Sequence, residues 1–205
     1  MQQISHKVLH QDESEIRTYS TEEFERVMQI KFLPNLHFST EKISKKVKKL
    51  CLRAVLREEF ERKQKWLGVL FGDDIEKGRE LDALIQWIDP QMGYGVFALH
   101  DLAPMTYVGE YTGELRKQKW WKDKSNYYCF DYTIGEKTPF VIDAEKQGNL
   151  TRFINHSKDP NLEPISVLSG DQVHVILLTK SWIKKGEELT YDYGSNYWKK
   201  RSDER

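Results

Sequence analysis

With 205 residues the chain is long enough to bury a core as one domain, or one domain with an appendage, and too short for two large independent domains. Its 32 Lys and Arg balance its 32 Asp and Glu, so no global field draws it to nucleic acid or to an anionic membrane, and any basic surface must be local. Cys51 and Cys129, its 2 cysteines, lie far apart, which excludes a cysteine-based zinc site, argues against a disulfide framework and fits a reducing compartment.

Residues 1 to about 20 are polar, without strong periodicity and without the apolar run of a secretory signal, and predict a frayed or loosely docked arm. No window approaches a membrane span, so a soluble protein is expected. Thr21 with Glu22, Glu23 and Phe24 reads as a helix start, and Pro34 ends what it began. From Glu41 to Trp66 the apolar positions Ile43, Val47, Leu50, Cys51, Ala54 and Val55 recur at helical spacing, predicting the longest helix. Its polar face carries Lys42, Lys45, Lys46, Lys48, Lys49, Arg53 and Arg57, which reads either as a solvated face or as a docking surface for an acidic partner or nucleic acid. Gly68, Gly72, Asp73, Asp74 and Gly78 read as a linker, and the main boundary is expected there.

After Leu81 the chain turns to short runs rich in aromatic and β-branched residues, predicting strands at Ala83 to Ile88, Gly95 to Leu99, Thr106 to Glu110, Tyr127 to Tyr132, Phe140 to Ile142, Ile165 to Leu168, Val173 to Thr179 and Glu188 to Tyr193. Ser169-Gly170-Asp171 reads as a hairpin turn. Helical pieces are expected only at about Leu115 to Lys122, with Trp120 and Trp121 as packing residues, and at Gln147 to Ile154. This half therefore reads as a mostly β domain.

Gly93-Tyr94-Gly95-Val96-Phe97-Ala98 fits the dinucleotide pattern GxGxxA, but that pattern needs a helix directly after the second glycine. The sequence continues with strand character, so the glycines are read as a turn that lets backbone approach a ligand closely. The sequons at Asn149 and Asn155 are taken as coincidence. In Gly148-Asn149-Leu150-Thr151-Arg152-Phe153-Ile154-Asn155-His156-Ser157, a cation, an amide and an imidazole sit beside apolar Phe153 and Ile154, as polar groups aimed at a ligand from a buried segment would.

Taken in order, Gly93-Tyr94-Gly95, Val108-Gly109-Glu110-Tyr111-Thr112-Gly113-Glu114, Asp143-Ala144, Arg152 to Ser157 with Pro160-Asn161 behind it, and Glu188-Leu189-Thr190-Tyr191-Asp192-Tyr193-Gly194 resemble the SET-domain protein lysine methyltransferases over roughly residues 82 to 198. In overall plan the chain is most similar to the compact SET proteins of chlamydia-like intracellular bacteria, with a helical N-terminal extension and an end just after the core. The resemblance implies a mostly β SET-domain fold of small curved sheets, with a pseudoknot in which the C-terminal strand threads beneath a loop. It implies a helical N-terminal region over 1–80, the SET domain over 81–198 and a basic tail over 199–205.

The same resemblance implies an S-adenosylmethionine-dependent lysine N-methyltransferase acting on histones or histone-like DNA-binding proteins. Tyr193 takes the place of the catalytic tyrosine, Tyr111 that of a channel tyrosine orienting the amine, and Tyr191 a position whose hydroxyl favours mono- or dimethylation. Gly93, Tyr94, Gly95, Arg152, Asn155 and His156 fall at the cofactor, and Tyr127, Tyr128 and Phe130 line the peptide groove. Acidic Glu110, Glu114 and Asp131 would favour a basic peptide. No cysteine-rich segment follows the core, so no zinc is expected and Trp198 is the candidate for closing over the adenine. Expected partners are a protein with an exposed lysine, DNA only indirectly, no membrane, and a second copy of the chain as an open case. The expected site of action is a bacterial cytoplasm or, after export, a host nucleus. The rival reading is a catalytically silent SET-fold binding module, tethered to DNA or an acidic partner through the basic helix 41–66.

Overall fold

The computed structural model describes residues 4–123, 125–135 and 139–199. Its first elements are β1 (Ser5–Leu9), β2 (Arg17–Ser20), α1 (Thr21–Met28), β3 (Lys31–Phe32), β4 (His37–Phe38), α2 (Glu41–Leu56), α3 (Arg62–Leu70) and α4 (Gly72–Glu76). Then come β5 (Ala83–Asp89), β6 (Gly93–Ala98), β7 (Tyr107–Glu110), β8 (Glu114–Lys117), α5 (Trp120–Asp123), β9 (Cys129–Tyr132) and β10 (Phe140–Asp143). The last are β11 (Gln147–Gly148), a 3-10 helix (Leu150–Phe153), β12 (Asn155–His156), β13 (Leu162–Ser169), β14 (Gln172–Thr179), β15 (Glu188–Tyr191) and α6 (Ser195–Lys199). The eight expected strands are all present, with ends shifted by a few residues, and the fold is mostly β.

The described residues form four sheets: a six-stranded one in the order β12-β15-β6-β5-β1-β2, a four-stranded one in the order β4-β8-β10-β9, and the smaller sets β13-β14-β7 and β11-β3. A main apolar core, with Val8, Phe24, Ile85, Val96, Leu115, Tyr132, Ile142 and Leu189 among its members, joins them, and a smaller cluster packs Leu67, Phe71 and Ile75 against Ile165 and Ile176. Ser169 pairs with Gln172 across Gly170, whose φ of +61° suits glycine, so the expected hairpin turn is where the sequence put it.

The N-terminal region departs from expectation. Residues 5–20 are a β-hairpin, not a frayed arm, because His6 and Val8 alternate inward while their neighbours face out. His6 is a polar residue at a buried strand position, stacked on Phe24 at 4.2 Å and edge-on to Phe32 at 4.8 Å, so the alternation does not read as apolar. β1 then pairs with β5, β3 with β11 and β4 with β8, all in parallel, so hydrogen bonding runs straight across the boundary expected near residue 80. Helix α1 starts on a capping box, with Ser20 and Glu23 exchanging side-chain-to-backbone bonds.

The long helix expected over 41–66 is two helices. α2, capped by Thr40, buries Val47, Cys51 and Ala54 and ends where Glu58 takes a left-handed φ of 57°, which lets Phe60 turn into the core. α3 begins again behind a Glu61–Gln64 capping box. Gly68 belongs to α3 rather than to a linker, and a Cβ there would come 1.8 Å from the carbonyl oxygen of Leu168 on β13. Glycine is what lets α3 lie directly on that strand.

The helix expected over Leu115 to Lys122 is only α5 at its end; Leu115 to Lys117 belong to strand β8 (Glu114–Lys117). Its inward Arg116 is held by Asp123 at 2.6 Å and Asp143 at 2.7 Å. Burial pulls the guanidinium pKa down, but the two carboxylates outweigh it and the net shift is upward. Trp121, expected to pack, is 90% exposed, and the side chain of Trp120 lies outside the described residues, as do residues 200–205 of the expected basic tail.

Gly68→Ala is expected to cost about 3 kcal/mol through overpacking against β13, read as a shifted denaturant midpoint. An unchanged midpoint would contradict the α3–β13 packing.

Candidate functional site

The site is built where β12 and β15 run side by side in parallel, Asn155 opposite Thr190 and His156 opposite Tyr191. Asn161, in the loop after β12, locks the pair by donating to the Glu188 carbonyl at 2.8 Å and accepting from the Thr190 N–H at 2.9 Å. The expected helix over Gln147 to Ile154 shrinks to strand β11 and the 3-10 turn that leads into β12. Asn149 caps that turn and donates to the Glu110 carbonyl at 2.9 Å, and Thr151 donates to the same oxygen at 3.3 Å.

Each residue of the turn and strand has a defined task. Arg152 donates to the carbonyls of Ala144 at 2.8 Å and Glu145 at 3.1 Å, and its guanidinium lies 4.2 Å from the Tyr128 ring centroid. It is thus tied to the scaffold. The Ile154 carbonyl accepts from the Tyr193 hydroxyl at 2.9 Å. Asn155 donates to the Tyr94 carbonyl at 3.2 Å and to Glu188 Oε1 at 2.9 Å. These contacts explain Gly95, where a Cβ would come 2.7 Å from Glu188 and 3.1 Å from the Asn155 amide. His156 Nδ1 accepts from the Tyr193 N–H at 3.2 Å. Asp192 also lies 3.5 Å from Nδ1, but an ion pair there needs a proton on the nitrogen that already accepts. The neutral ring therefore carries its proton on Nε2.

Two cavities flank Gly194 and Ser195. The first, of about 280 Å³, has walls of Tyr111, Tyr127, Phe130, Tyr191, Tyr193 and Tyr197 and a polar margin that includes Asp123, Asn126 and Asp131. Its rings form a continuous series, with centroids 5.2 Å apart for Tyr111–Phe130, 6.3 Å for Phe130–Tyr191, 4.8 Å for Tyr191–Tyr193 and 4.6 Å for Tyr193–Tyr197. Tyr111 is buried and donates to the Tyr128 carbonyl at 2.9 Å. Burial, before any neighbouring charge, pushes the Tyr111 and Tyr191 phenols well above their ordinary range. They stay neutral at any working pH and cannot serve as bases. The second cavity, of about 540 Å³, is lined by His156, Lys158, Asp192, Gly194, Ser195 and Trp198, with the Trp198 ring 4.9 Å from His156.

Of the residues expected at the site, the catalytic set Tyr111, Tyr191 and Tyr193 converges on the first cavity with Tyr127 and Phe130. His156 and Trp198 meet at the second. Gly93, Tyr94, Gly95 and Asn155 are joined to this region through the Asn155–Tyr94 bond, although they are not among the cavity walls. Arg152 and Tyr128 face each other in the scaffold behind it. Glu110, expected to attract a basic peptide, is buried and bonded to His174 at 2.6 Å, whereas Asp131 does reach the first cavity. Sequence reasoning missed Asp123 and Asn126, whose spacing from the strand gave no signal. Tyr197, on α6 and four residues beyond Tyr193, was likewise missed as a wall of the first cavity. Among the described residues no group of three or more His, Cys, Asp or Glu side chains is arranged to hold a metal ion.

Residues 93–194 match the family model described as the SET domain. The chain carries a SET domain. That stretch opens on the Gly93–Gly95 edge and closes on Gly194, so it contains both cavities' central residues, while β1–β5 and α1–α4 precede it. Human histone-lysine N-methyltransferase EHMT1 is 37% identical over 112 residues, covering 52% of this chain and 9% of that protein. Chicken histone-lysine N-methyltransferase SUV39H2 is 32% identical over 130 residues, covering 58% of this chain and 32% of that protein. The chain thus spans less than a third of the length of either relative. The solved structure of Arabidopsis thaliana SUVH6 in complex with SAM has a TM-score of 0.49 at 31% identity, covering 56% of this chain and 28% of that one.

One titrating contact supports the SET segment from outside it. Glu80 accepts from the Leu150 N–H at 3.1 Å, at the head of the 3-10 turn, and its other oxygen lies 3.7 Å from His6 Nδ1. Burial raises the Glu80 carboxyl from 4.5 to about 7 and lowers the His6 imidazole from 6.5 to about 4. A raised carboxyl withdraws stability as pH climbs from 4.5 toward 7, and a depressed imidazole withdraws it as pH falls from 6.5 toward 4, so the two oppose each other between 4.5 and 6.5. Relative to wild type, Glu80→Gln should lose more stability between about pH 7.5 and about pH 5, and His6→Asn should gain, in urea unfolding. Parallel pH profiles for all three proteins would contradict this coupling.

Proposed function

We propose that the chain is an S-adenosylmethionine-dependent protein lysine N-methyltransferase acting on histones or histone-like DNA-binding proteins. The observation that carries this reading is the β12–β15 pairing, which sets an aromatic cavity and a second, larger cavity on either side of Gly194–Ser195. The second cavity falls within the roughly 300–1,000 Å³ usual for small-ligand sites. Its lining fits the cofactor's base, since the His156 and Trp198 rings suit a purine, and the Asn155–Tyr94 contact, outside the cavity walls, would take the amino-acid end. When bound, the cofactor would supply an electrophilic methyl carbon on a sulfonium, which leaves as a neutral thioether.

The chain's own residues do the rest by binding and orientation. The rings of Tyr111, Phe130, Tyr191 and Tyr193 enclose the aliphatic stem of a lysine and exclude water. That desolvation lowers the pKa of an ammonium and releases its proton to solvent, leaving the lone pair free to form the new N–C bond. The positive charge that then develops on nitrogen is met by ring faces. Because the Tyr193 hydroxyl is anchored on the Ile154 carbonyl, its lone pairs point in a fixed direction. Asp131 at the margin favours a substrate with further basic residues, whereas the buried Asp123 is engaged by Arg116.

The finer likeness to compact SET proteins of chlamydia-like bacteria belongs to the same proposal, supported by the helix-bearing segment ahead of the matched stretch. With it goes action in a bacterial cytoplasm or, after export, a host nucleus. Indirect DNA contact is supported by the exposed Lys42, Lys46, Lys49 and Arg53 of α2. Self-association is supported by the exposed Leu56, Trp66, Val69 and Leu70.

Radiolabelled methyl transfer onto core histones tests the reading. Wild type should label histone, and Tyr193→Phe should lower the rate by about 100-fold or more while folding normally, since a single positioned oxygen is removed. Full activity in that variant would overturn the assignment, and no labelling of histones or a bacterial lysate by wild type would favour the silent binding module. Tyr191→Phe frees space beside the amine, so mass spectra should shift from mono- and dimethyl-lysine toward trimethyl-lysine. Unchanged product ratios would remove Tyr191 from the control of methyl number.

A further inference from the structure

Tyr94 is held at both ends, and one of its holders lies outside the SET domain. Its backbone carbonyl accepts from Asn155, which is the tie between the Gly93–Gly95 edge and the β12 strand. Its hydroxyl is 2.7 Å from His10 Nδ1, and His10 Nε2 is 3.0 Å from the Tyr19 hydroxyl. His10 follows β1 and Tyr19 sits on β2, so both belong to the N-terminal hairpin. The His10 ring meets Tyr94 edge-on at 5.9 Å and Tyr19 at 5.8 Å, while the Tyr94 ring rests against Trp87 at 5.2 Å and Phe153 at 6.3 Å.

A neutral imidazole has one donor and one acceptor nitrogen. Bridging two phenols therefore uses both, one tyrosine donating and the other accepting, and leaves His10 no freedom to rotate. The hairpin that carries the bridge is not loosely attached: β1 pairs with β5 over Lys7–Leu9, and β5 pairs in turn with β6, where Tyr94 resides. The bridge thus closes a ring of contacts, from β6 through β5 and β1 to His10 and back to the Tyr94 side chain. With the phenol fixed at one end and Phe153 against its ring, the Tyr94 carbonyl is presented to Asn155 in one orientation.

We propose that His10 is a positioning residue for the cofactor site, fixing Tyr94 through the Tyr19–His10–Tyr94 bridge and so aligning the Tyr94–Asn155 contact. This rests on the reading of the site as one for S-adenosylmethionine. It assigns to the hairpin ahead of the SET domain a part in cofactor affinity, beyond its part in the sheet.

Isothermal titration of the full chain with S-adenosylmethionine tests the proposal, because it reports affinity and stoichiometry separately. His10→Ala should weaken binding roughly five- to tenfold, the worth of a lost neutral hydrogen bond, with stoichiometry unchanged. Tyr19→Phe, which removes one oxygen and keeps the ring, should weaken it in the same direction by less. His10→Gln, which retains a donor and an acceptor, should restore affinity to within about threefold of wild type. A purely structural role would instead lower the stoichiometry and the melting temperature and leave the affinity of the folded fraction unchanged, and that result would overturn the proposal. Equal affinities in wild type, His10→Ala and Tyr19→Phe would overturn it too. Absence of binding by wild type would overturn the cofactor reading itself, which is a separate and recognisable outcome.

Discussion

The parallel contact between Asn155–His156 and Thr190–Tyr191 is the constraint on which the other features of the site depend. Parallel strands cannot be joined by a tight turn, and here the connection is the whole β13–β14 hairpin. Because the strands pair in this register, the Tyr193 hydroxyl reaches the Ile154 carbonyl, its N–H reaches His156, and Tyr191 falls between Phe130 and Tyr193. A slip of one residue would turn Tyr191 and the buried Leu189 to the opposite face, so the placement of the cavity tyrosines and the core packing are fixed by the same pairing.

The N-terminal region works as a buttress for that contact. β1, β3 and β4 each add a parallel strand to a sheet of the second half, Glu80 holds the head of the 3-10 turn, and α3 lies on β13 through Gly68. Burial and hydrogen bonding therefore tie residues ahead of the SET domain to the turn that leads into β12. Within the SET domain the buried Arg116 on β8 is paired between Asp123 and Asp143, which offsets part of the cost of its burial.

Much of the second half was legible because its strands are short, apolar and punctuated by turn residues, and because the tyrosines and the Asn155-His156-Ser157 segment occur in a distinctive order. The first half was harder for a physical reason: its inward positions are filled by residues that do not look inward-facing. His6 is buried between aromatic rings; in the second half the same difficulty arises once, where Arg116 turns a charged stretch into a central strand by virtue of the Asp123 and Asp143 carboxylates. The break in the long helix depends on Phe60 finding the core, and Gly68 reads as a linker until the Leu168 carbonyl beneath it is known. In the site, the assignment of Arg152 to the scaffold and of Glu110 to His174 depends on contacts that no local pattern reveals. Asp123 and Asn126 reach the cavity by tertiary placement alone.

On the proposed function, one contact between β12 and β15 sets a cofactor site and a lysine site on its two sides. A crystal structure of the chain with S-adenosylhomocysteine and a lysine-bearing histone peptide tests it most directly. The adenine is expected beside His156 and Trp198, the amino-acid end at Asn155, and the lysine nitrogen among Tyr111, Tyr191 and Tyr193. Cofactor or lysine bound away from those residues would contradict it.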